Sequence, residues 1–174
     1  MKTKSLVLMA LFVVLEIICT GVLKLNFGVQ RITLTFIPYA VCGYMLGSTK
    51  GALVAVLADI ISFMVFPQGT YFIGFTISAL LSGALYGLLK GKVGKQLVVG
   101  IIVISVVNAL VMNIFLNTIW LHILLGKSWN ALLPVRITKN IISTPFEIVV
   151  LITVFKGLKP LFERGSNNGR YGKN

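Results

Sequence analysis

The stretch LVVGIIVISVVNALVMNIFLNTIWLHILL, Leu97 to Leu125, decides the fold class because it contains no Asp, Glu, Lys or Arg. A bilayer core of about 30 Å is crossed by about 20 apolar residues in a helix, and this run exceeds that length. The rest of the chain is similarly apolar, since 57% of its 174 residues are hydrophobic. We therefore predict an all-α integral membrane protein.

Gly, Pro and Lys residues divide the chain into six apolar segments, each read as a transmembrane helix in a single membrane domain. The segments are too long for the roughly 10-residue alternating strands of a membrane β-barrel. A polar cytoplasmic tail is predicted over residues 156–174. The predicted helices span residues 5–23, 33–46, 51–66, 71–89, 97–125 and 135–155.

The formal net charge of +12 reflects membrane topology rather than nucleic-acid binding, because the basic residues lie mostly between hydrophobic segments. Of the 16 Lys and Arg residues, most fall on one side of the six-helix arrangement. The positive-inside rule then places both termini in the cytoplasm of a multi-pass protein of the cell membrane. The other side holds Lys24, Arg31, Lys127, Arg136 and Lys139.

Two polar stripes are predicted to converge near the external ends of the last two helices. Asn113, Asn117 and Trp120 share one face of the fifth helix, because they follow the spacing i, i+4, i+7. Arg136 and Asn140 share a face of the sixth helix with Ser143 and Glu147, and Lys139 flanks that face. Ionisable groups in membrane helices normally face the protein interior, so the stripes predict an external ligand pocket. Arg and Lys suit a carboxylate, and Trp120 suits a flat ring.

Asp59 is a carboxylate within the short third helix, inside LVAVLADIISF. It has two interpretations, which the sequence leaves open. The carboxylate can neutralise a buried Arg136 or Arg31, or it can accept hydrogen bonds from amino and ring N–H groups of a ligand. Glu147 is expected to be a buried ion-pair or hydrogen-bond partner.

Enzymatic chemistry is not predicted, because it requires a nucleophile with a base or a cluster of metal ligands. The chain has one His, four acidic residues and two Cys without CxxC spacing. The glycine-rich run from Gly87 to Val93 does not match a phosphate-binding loop, since its spacing is one residue short and no Ser or Thr follows Lys92. We expect no cofactor, and no ATP hydrolysis by this chain.

Four segments of the chain form a distinctive combination: GALVAVLAD (residues 51–59), FPQGTYFIGFTISALLSGALYG (66–87), LNTIWL (116–121) and VRITKN (135–140). Together they resemble the folate-specific substrate-binding (S) component of energy-coupling factor (ECF) transporters. The similarity extends from Leu6 to about Phe155, and the combination is far more specific than any one segment.

The resemblance implies a six-helix subunit that captures a vitamin outside the cell and then docks on a transmembrane coupling protein with two cytoplasmic ATPases. For folate it implies that the pterin stacks on Trp120 and that its N–H groups bind Asp59 or Asn117. The glutamate carboxylates would bind Arg136, Lys139 or Arg31. Asn113 and Asn140 complete the set of predicted ligand-binding residues.

One departure from the family pattern concerns docking. S components often carry an AxxxA pair on the first helix, whereas here Ala10 is followed at i+4 by Val14. Three alternatives also remain: an S component for another vitamin (pantothenate, a pyrimidine or a queuosine precursor), an ion-coupled secondary transporter that uses Asp59, Glu16 and Glu147, and a membrane assembly factor without a ligand.

Overall fold

The computed structural model describes residues 3–21, 24–27, 30–67, 70–126 and 128–168; for residues 24–33, 125, 131 and 159–168 this description covers at most the backbone. Within these ranges the chain is helical apart from one β-hairpin and short connections. The helices are α1 (Thr3–Gly21), α2 (Phe36–Leu46), α3 (Ser48–Val65), α4 (Ile73–Tyr86), α5 (Gly94–Val107), α6 (Asn117–Leu125) and α7 (Trp129–Asn168).

Six continuous helical rods result, as the sequence predicts. A 3₁₀ turn, Gly87–Leu89, extends α4. A π-helix, Asn108–Leu116, joins α5 to α6 without a break, and we call it the π segment. Within the described part of the chain, four helical stretches are long and apolar enough to cross a membrane: Thr3–Gly21, Ser48–Val65, Gly94–Leu124 and Leu132–Leu158. Two shorter apolar helices are Phe36–Leu46 and Ile73–Leu89.

The hairpin corrects the predicted start of the second helix. Strands β1 (Lys24–Phe27) and β2 (Gln30–Thr33) pair antiparallel, with Leu25 opposite Ile32. The second helix was predicted from residue 33, but it begins at Phe36. The physical reason is visible in Lys24-Leu25-Asn26-Phe27, where polar and apolar residues alternate with the period of a strand.

The last helix is longer than predicted at both ends. It was predicted over residues 135–155, whereas α7 spans Trp129–Asn168 and so continues into the segment predicted as a polar tail. Residues such as Lys, Leu, Glu and Arg, which make up much of KGLKPLFER, are good helix formers, so loss of apolar character does not by itself end a helix.

Close glycine contacts hold α2, α3 and α4 together. A Cβ atom added to Gly83 would lie 2.6 Å from the carbonyl oxygen of Gly51, and one added to Gly43 would lie 2.6 Å from the backbone nitrogen of Gly87. Only glycine permits such backbone approach, which is a common device for packing helices in lipid. Gly47, at φ 90°, forms the one-residue break between α2 and α3, a conformation that favours glycine.

Candidate ligand-binding cavity

A polar cavity of about 250 Å³ lies among α2, α3, α4, the π segment, α6 and α7. Five of the eight predicted ligand-binding residues line it: Asp59, Asn113, Asn117, Lys139 and Asn140. They come from three separate helical rods, so the two predicted stripes meet on one cavity and Asp59 of α3 joins them there. Their binding role stays a prediction, but their convergence supplies a carboxylate, an ammonium group and three amides on one surface.

Asp59 is held by a chain of hydroxyl groups. Thr76 Oγ1 donates a hydrogen bond of 2.6 Å to Asp59 Oδ2, and Tyr71 Oη lies 2.7 Å from the same Thr76 oxygen. Because Thr76 uses its proton on Asp59, the Tyr71 hydroxyl is the donor in the second contact. This arrangement orients the carboxylate and leaves Oδ1 as a further acceptor.

Asn113 and Asn117 form an amide pair on the cavity wall. Asn117 Nδ2 donates to Asn113 Oδ1 at 3.5 Å. Asn117 Oδ1 is buried and has no hydrogen-bond partner among the residues that the structure describes. A buried carbonyl oxygen without a partner is costly, so it is a strong acceptor for a ligand N–H group.

Trp120 lies behind the cavity wall rather than on its surface. Its Nε1 donates a hydrogen bond of 3.0 Å to Ser78 Oγ, and Ser78 lines the cavity. The indole also packs against Gly74, where an added Cβ would lie 2.4 Å from Trp120 Cδ2. The ring of Phe72 lies 5.7 Å from that of Trp120. The predicted stacking role therefore requires the ligand to approach past Ser78.

The two predicted arginines are placed differently from Lys139. Arg136 is half-buried on α7 but does not line the cavity, and its backbone carbonyl accepts a hydrogen bond of 2.9 Å from Asn140 Nδ2. Arg31 lies on β2 opposite Asn26, and its side chain lies outside those that the structure describes. Lys139 is thus the predicted cation that the structure places on the cavity surface.

Asn108 and Glu147 also line the cavity, although neither was predicted to bind the ligand. Each is tied to α4. Ser82 Oγ donates a hydrogen bond of 2.7 Å to Asn108 Oδ1, and the Tyr86 hydroxyl donates to Glu147 Oε1. Glu147 was predicted to lie on the same face of the last helix as Asn140, which agrees with its place in the cavity. A regular helix pattern gives no corresponding prediction for Asn108.

A second, larger cavity of about 550 Å³ adjoins the polar one. Asp59 and Phe75 line both cavities, so they form part of the wall between them. The second cavity is rich in aromatic rings, contributed by Phe63, Phe66, Tyr71, Phe72 and Phe75. A flat aromatic ligand has an apolar surface available on one side of Asp59 and polar groups on the other.

The fold and the polar cavity define a membrane protein that binds a small ligand among its helices, and sequence comparison gives the family. Residues 4–155 match the profile of the family described as "ECF transporter, substrate-specific component". The chain belongs to this family of S components.

Two curated relatives both carry the name "Folate transporter FolT". The chain is 34% identical to the one from Clostridium novyi (strain NT) over 157 residues, which cover 89% of this chain and 90% of the relative. It is 26% identical to the one from Leuconostoc mesenteroides subsp. mesenteroides over 153 residues, 85% of this chain and 82% of that relative.

Solved structures agree with this assignment. A crystal structure of FolT bound with folic acid superposes with a TM-score of 0.78 at 26% identity, covering 86% of this chain and 90% of that one. The S component of a bacterial ECF transporter superposes with a TM-score of 0.71 at 19% identity, covering 93% and 99% of the two chains, and at that identity it supports the fold alone.

Proposed function

We propose that this chain is the folate-binding subunit of an ATP-driven vitamin importer and that it captures folate on the extracellular side of the cell membrane. The observation that carries the proposal is the convergence of Lys139, Asp59 and four asparagines on one cavity. That cavity lies in a chain that is 34% identical to a folate transporter along 89% of its length.

Folate has two chemically different ends, and the proposed residues offer a counterpart to each. Its pterin ring carries amino and N–H donors, which suit the carboxylate of Asp59 and the unpartnered Asn117 Oδ1. Its glutamate carries carboxylates, which suit Lys139. Arg136 and Arg31 are proposed to bind the same carboxylates together with Lys139. Asn113, Asn140 and Trp120 complete the proposed set of ligand-binding residues.

We further assign the transport cycle to an assembly rather than to this chain alone. Its proposed partners are a transmembrane coupling protein and two cytoplasmic ATPases, as the membership of the S-component family supports. Both termini are proposed to be cytoplasmic, since most of the basic residues flank that side of the six helices.

Equilibrium binding of radiolabelled folate to the purified chain in detergent tests the capture step. Saturable binding that excess unlabelled folate displaces, and excess pantothenate does not, is the expected result. Binding of pantothenate with equal or higher affinity, or no folate binding, would refute the assignment of the substrate.

Uptake into proteoliposomes tests the energy source. With the coupling protein and the ATPases present, folate should accumulate only when ATP is supplied to the cytoplasmic face. Accumulation by this chain alone, driven by a proton or sodium gradient, would instead establish an ion-coupled secondary transporter.

A further inference from the structure

Helices α1 and α3 lie side by side with a constant register. Near their first turns, Lys50 Nζ donates a hydrogen bond of 2.8 Å to Ser5 Oγ. At the other end, a Cβ atom added to Gly21 would overlap the ring of Phe66. Both pairs are 45 residues apart, so the two helices run parallel over their whole length. The same register brings residue 16 of α1 level with residue 61 of α3.

Glu16 lies in this interface with one carboxyl oxygen unpartnered. Its side chain is 2% exposed, and the Tyr39 hydroxyl is hydrogen-bonded to it. Glu16 Oε2 is buried and has no hydrogen-bond partner among the described residues. Burial of a carboxyl oxygen without a partner is costly, so Oε2 requires a partner that these side chains do not supply.

Ser62 has the same deficit on the facing helix. Its side chain is 5% exposed, and within the described part of the chain its Oγ has no hydrogen-bond partner. Ser62 is one residue from the level of Glu16, which is about 1.5 Å along the helix axis. It also lines the second cavity, which provides room beside the hydroxyl oxygen. Two unpartnered oxygen atoms therefore lie at one level of the α1–α3 interface.

Asp59 and Thr20 add oxygen atoms to the same wall of the second cavity. Thr76 occupies Asp59 Oδ2, so Oδ1 remains as an acceptor. Thr20 Oγ1 donates a hydrogen bond of 2.9 Å to the backbone carbonyl of Glu16, so its lone pairs remain. Asp59 is close enough to Glu16 for a Coulombic interaction, and the interactions of these two carboxyl groups with described residues include no Lys or Arg.

We propose that this interface binds one monovalent metal cation, with Na⁺ as the expected ion. Its ligands are oxygen atoms, which suit a hard cation. No group of three His, Cys, Asp or Glu residues able to hold a metal ion occurs in the described ranges, so a single positive charge suits the site better than a divalent ion. The ion offsets the repulsion between the two carboxyl groups and joins α1 to α3. The proposed ligands are Glu16, Thr20, Asp59 and Ser62.

Equilibrium binding of ²²Na⁺ to the purified full-length chain in detergent tests the proposal without folate. We expect saturable binding of one ion per chain, displaced by unlabelled NaCl but not by N-methyl-D-glucamine chloride at equal ionic strength. Absence of displaceable ²²Na⁺ would overturn the proposal in favour of a proton on Glu16. Because folate binding is measured separately, failure of folate capture and failure of the cation site give different results.

The variant Ser62→Ala tests a neutral ligand of the site and changes the buried volume little. The affinity for ²²Na⁺ should fall by about tenfold, as expected for loss of one polar partner of a charge. Ser128→Ala is the matched control, because Ser128 is exposed and lines neither cavity. Equal ²²Na⁺ affinities of the two variants would contradict the location of the site.

The variant Glu16→Gln separates cation binding from a purely structural role. The amide oxygen of glutamine can still accept the hydrogen bond of Tyr39, but its nitrogen is a donor where Oε2 was an acceptor. We expect ²²Na⁺ affinity to fall by about tenfold or more, and the melting temperature to lose the increase that NaCl gives the wild-type chain over N-methyl-D-glucamine chloride. Wild-type ²²Na⁺ affinity in this variant would show that Glu16 only supports Tyr39 and would overturn its role as a ligand.

Discussion

Trp120 and Ser78 are joined by a hydrogen bond of 3.0 Å from the indole Nε1 to the serine Oγ. This bond connects α6 to α4 and orients the indole ring against the backbone of Gly74. A buried indole N–H usually has a partner, and here the partner is a residue of the cavity wall. Trp120 therefore shapes the cavity through Ser78 and also serves as a spectroscopic reporter beside it.

The contact with Gly74 predicts a specific sensitivity to a single methyl group. In Gly74→Ala the new Cβ would lie 2.4 Å from Trp120 Cδ2 and 2.5 Å from Phe72 Cε1, so two large rings must move. Overpacking of this kind typically costs about 1–3 kcal/mol. We expect a lower melting temperature in detergent and weaker folate binding, both measured on the purified variant.

Gly157→Ala is the matched control for that experiment. It makes the same change within α7, at a glycine where no described atom lies within 4 Å of the added Cβ. Its melting temperature should equal that of the wild-type chain or exceed it slightly, because alanine favours a helix. If the two variants melted at the same temperature, the described packing of Trp120 on Gly74 would be incorrect.

The placement of the basic residues predicts that Lys139 contributes more to binding than Arg136. Lys139 lines the cavity and Arg136 does not. Removing a charged hydrogen-bonding partner costs about 1.5–3 kcal/mol, so Lys139→Met should weaken folate binding by about tenfold or more. Arg136→Met should have a smaller effect. Dissociation constants from equilibrium dialysis provide the comparison.

A ligand without a carboxylate separates the role of charge from that of structure. The affinity of 6-hydroxymethylpterin should be unchanged in Lys139→Met, because that ligand has no anion for the ammonium group. Loss of both ligands would indicate a structural role for Lys139. A larger loss in Arg136→Met than in Lys139→Met would place the ligand carboxylates outside the described cavity.

The proposed orientation in the membrane can be tested by cysteine labelling of intact cells. Both native cysteines are buried, Cys19 at 8% and Cys42 at 1% exposure, so they should react slowly with a membrane-impermeant maleimide. Thr70→Cys, in the connection from α3 to α4, should be labelled from outside. Lys95→Cys, near the start of α5, should be labelled only after the cells are opened. The reverse pattern would place the termini outside.

Much of the fold follows from the sequence because lipid imposes a length on every helix. The six apolar segments between Ser5 and Phe155 correspond to the six helical rods. The hairpin from Lys24 to Thr33 was missed, because a short amphipathic strand carries a weaker signal than a long apolar run. The extension of α7 to Asn168 was missed because hydropathy marks the apolar segment and not the end of the helix.

The cavity was partly predictable for a related reason. Asp59, Asn113, Asn117, Lys139 and Asn140 are polar groups in apolar helices, and such groups turn inward. Asn108 is equally polar, but a regular α-helix would put it on a different face from Asn113. The sequence pattern does not predict the π segment. The small residues of α4 serve two purposes: Gly83 packs against Gly51, while Ser78 and Ser82 line the cavity.

The most direct test of folate capture in this cavity is a fluorescence titration of the Trp129→Phe variant. The chain has two tryptophans, so this change leaves Trp120 as the one indole, fixed to the cavity wall through Ser78. We predict saturable quenching of its emission by folate, no quenching by pantothenate, and a midpoint shifted to about tenfold higher folate concentration when Lys139→Met is added. Emission that does not respond to folate, while radiolabelled folate still binds, would place the ligand elsewhere; absence of binding in both measurements would contradict the folate assignment.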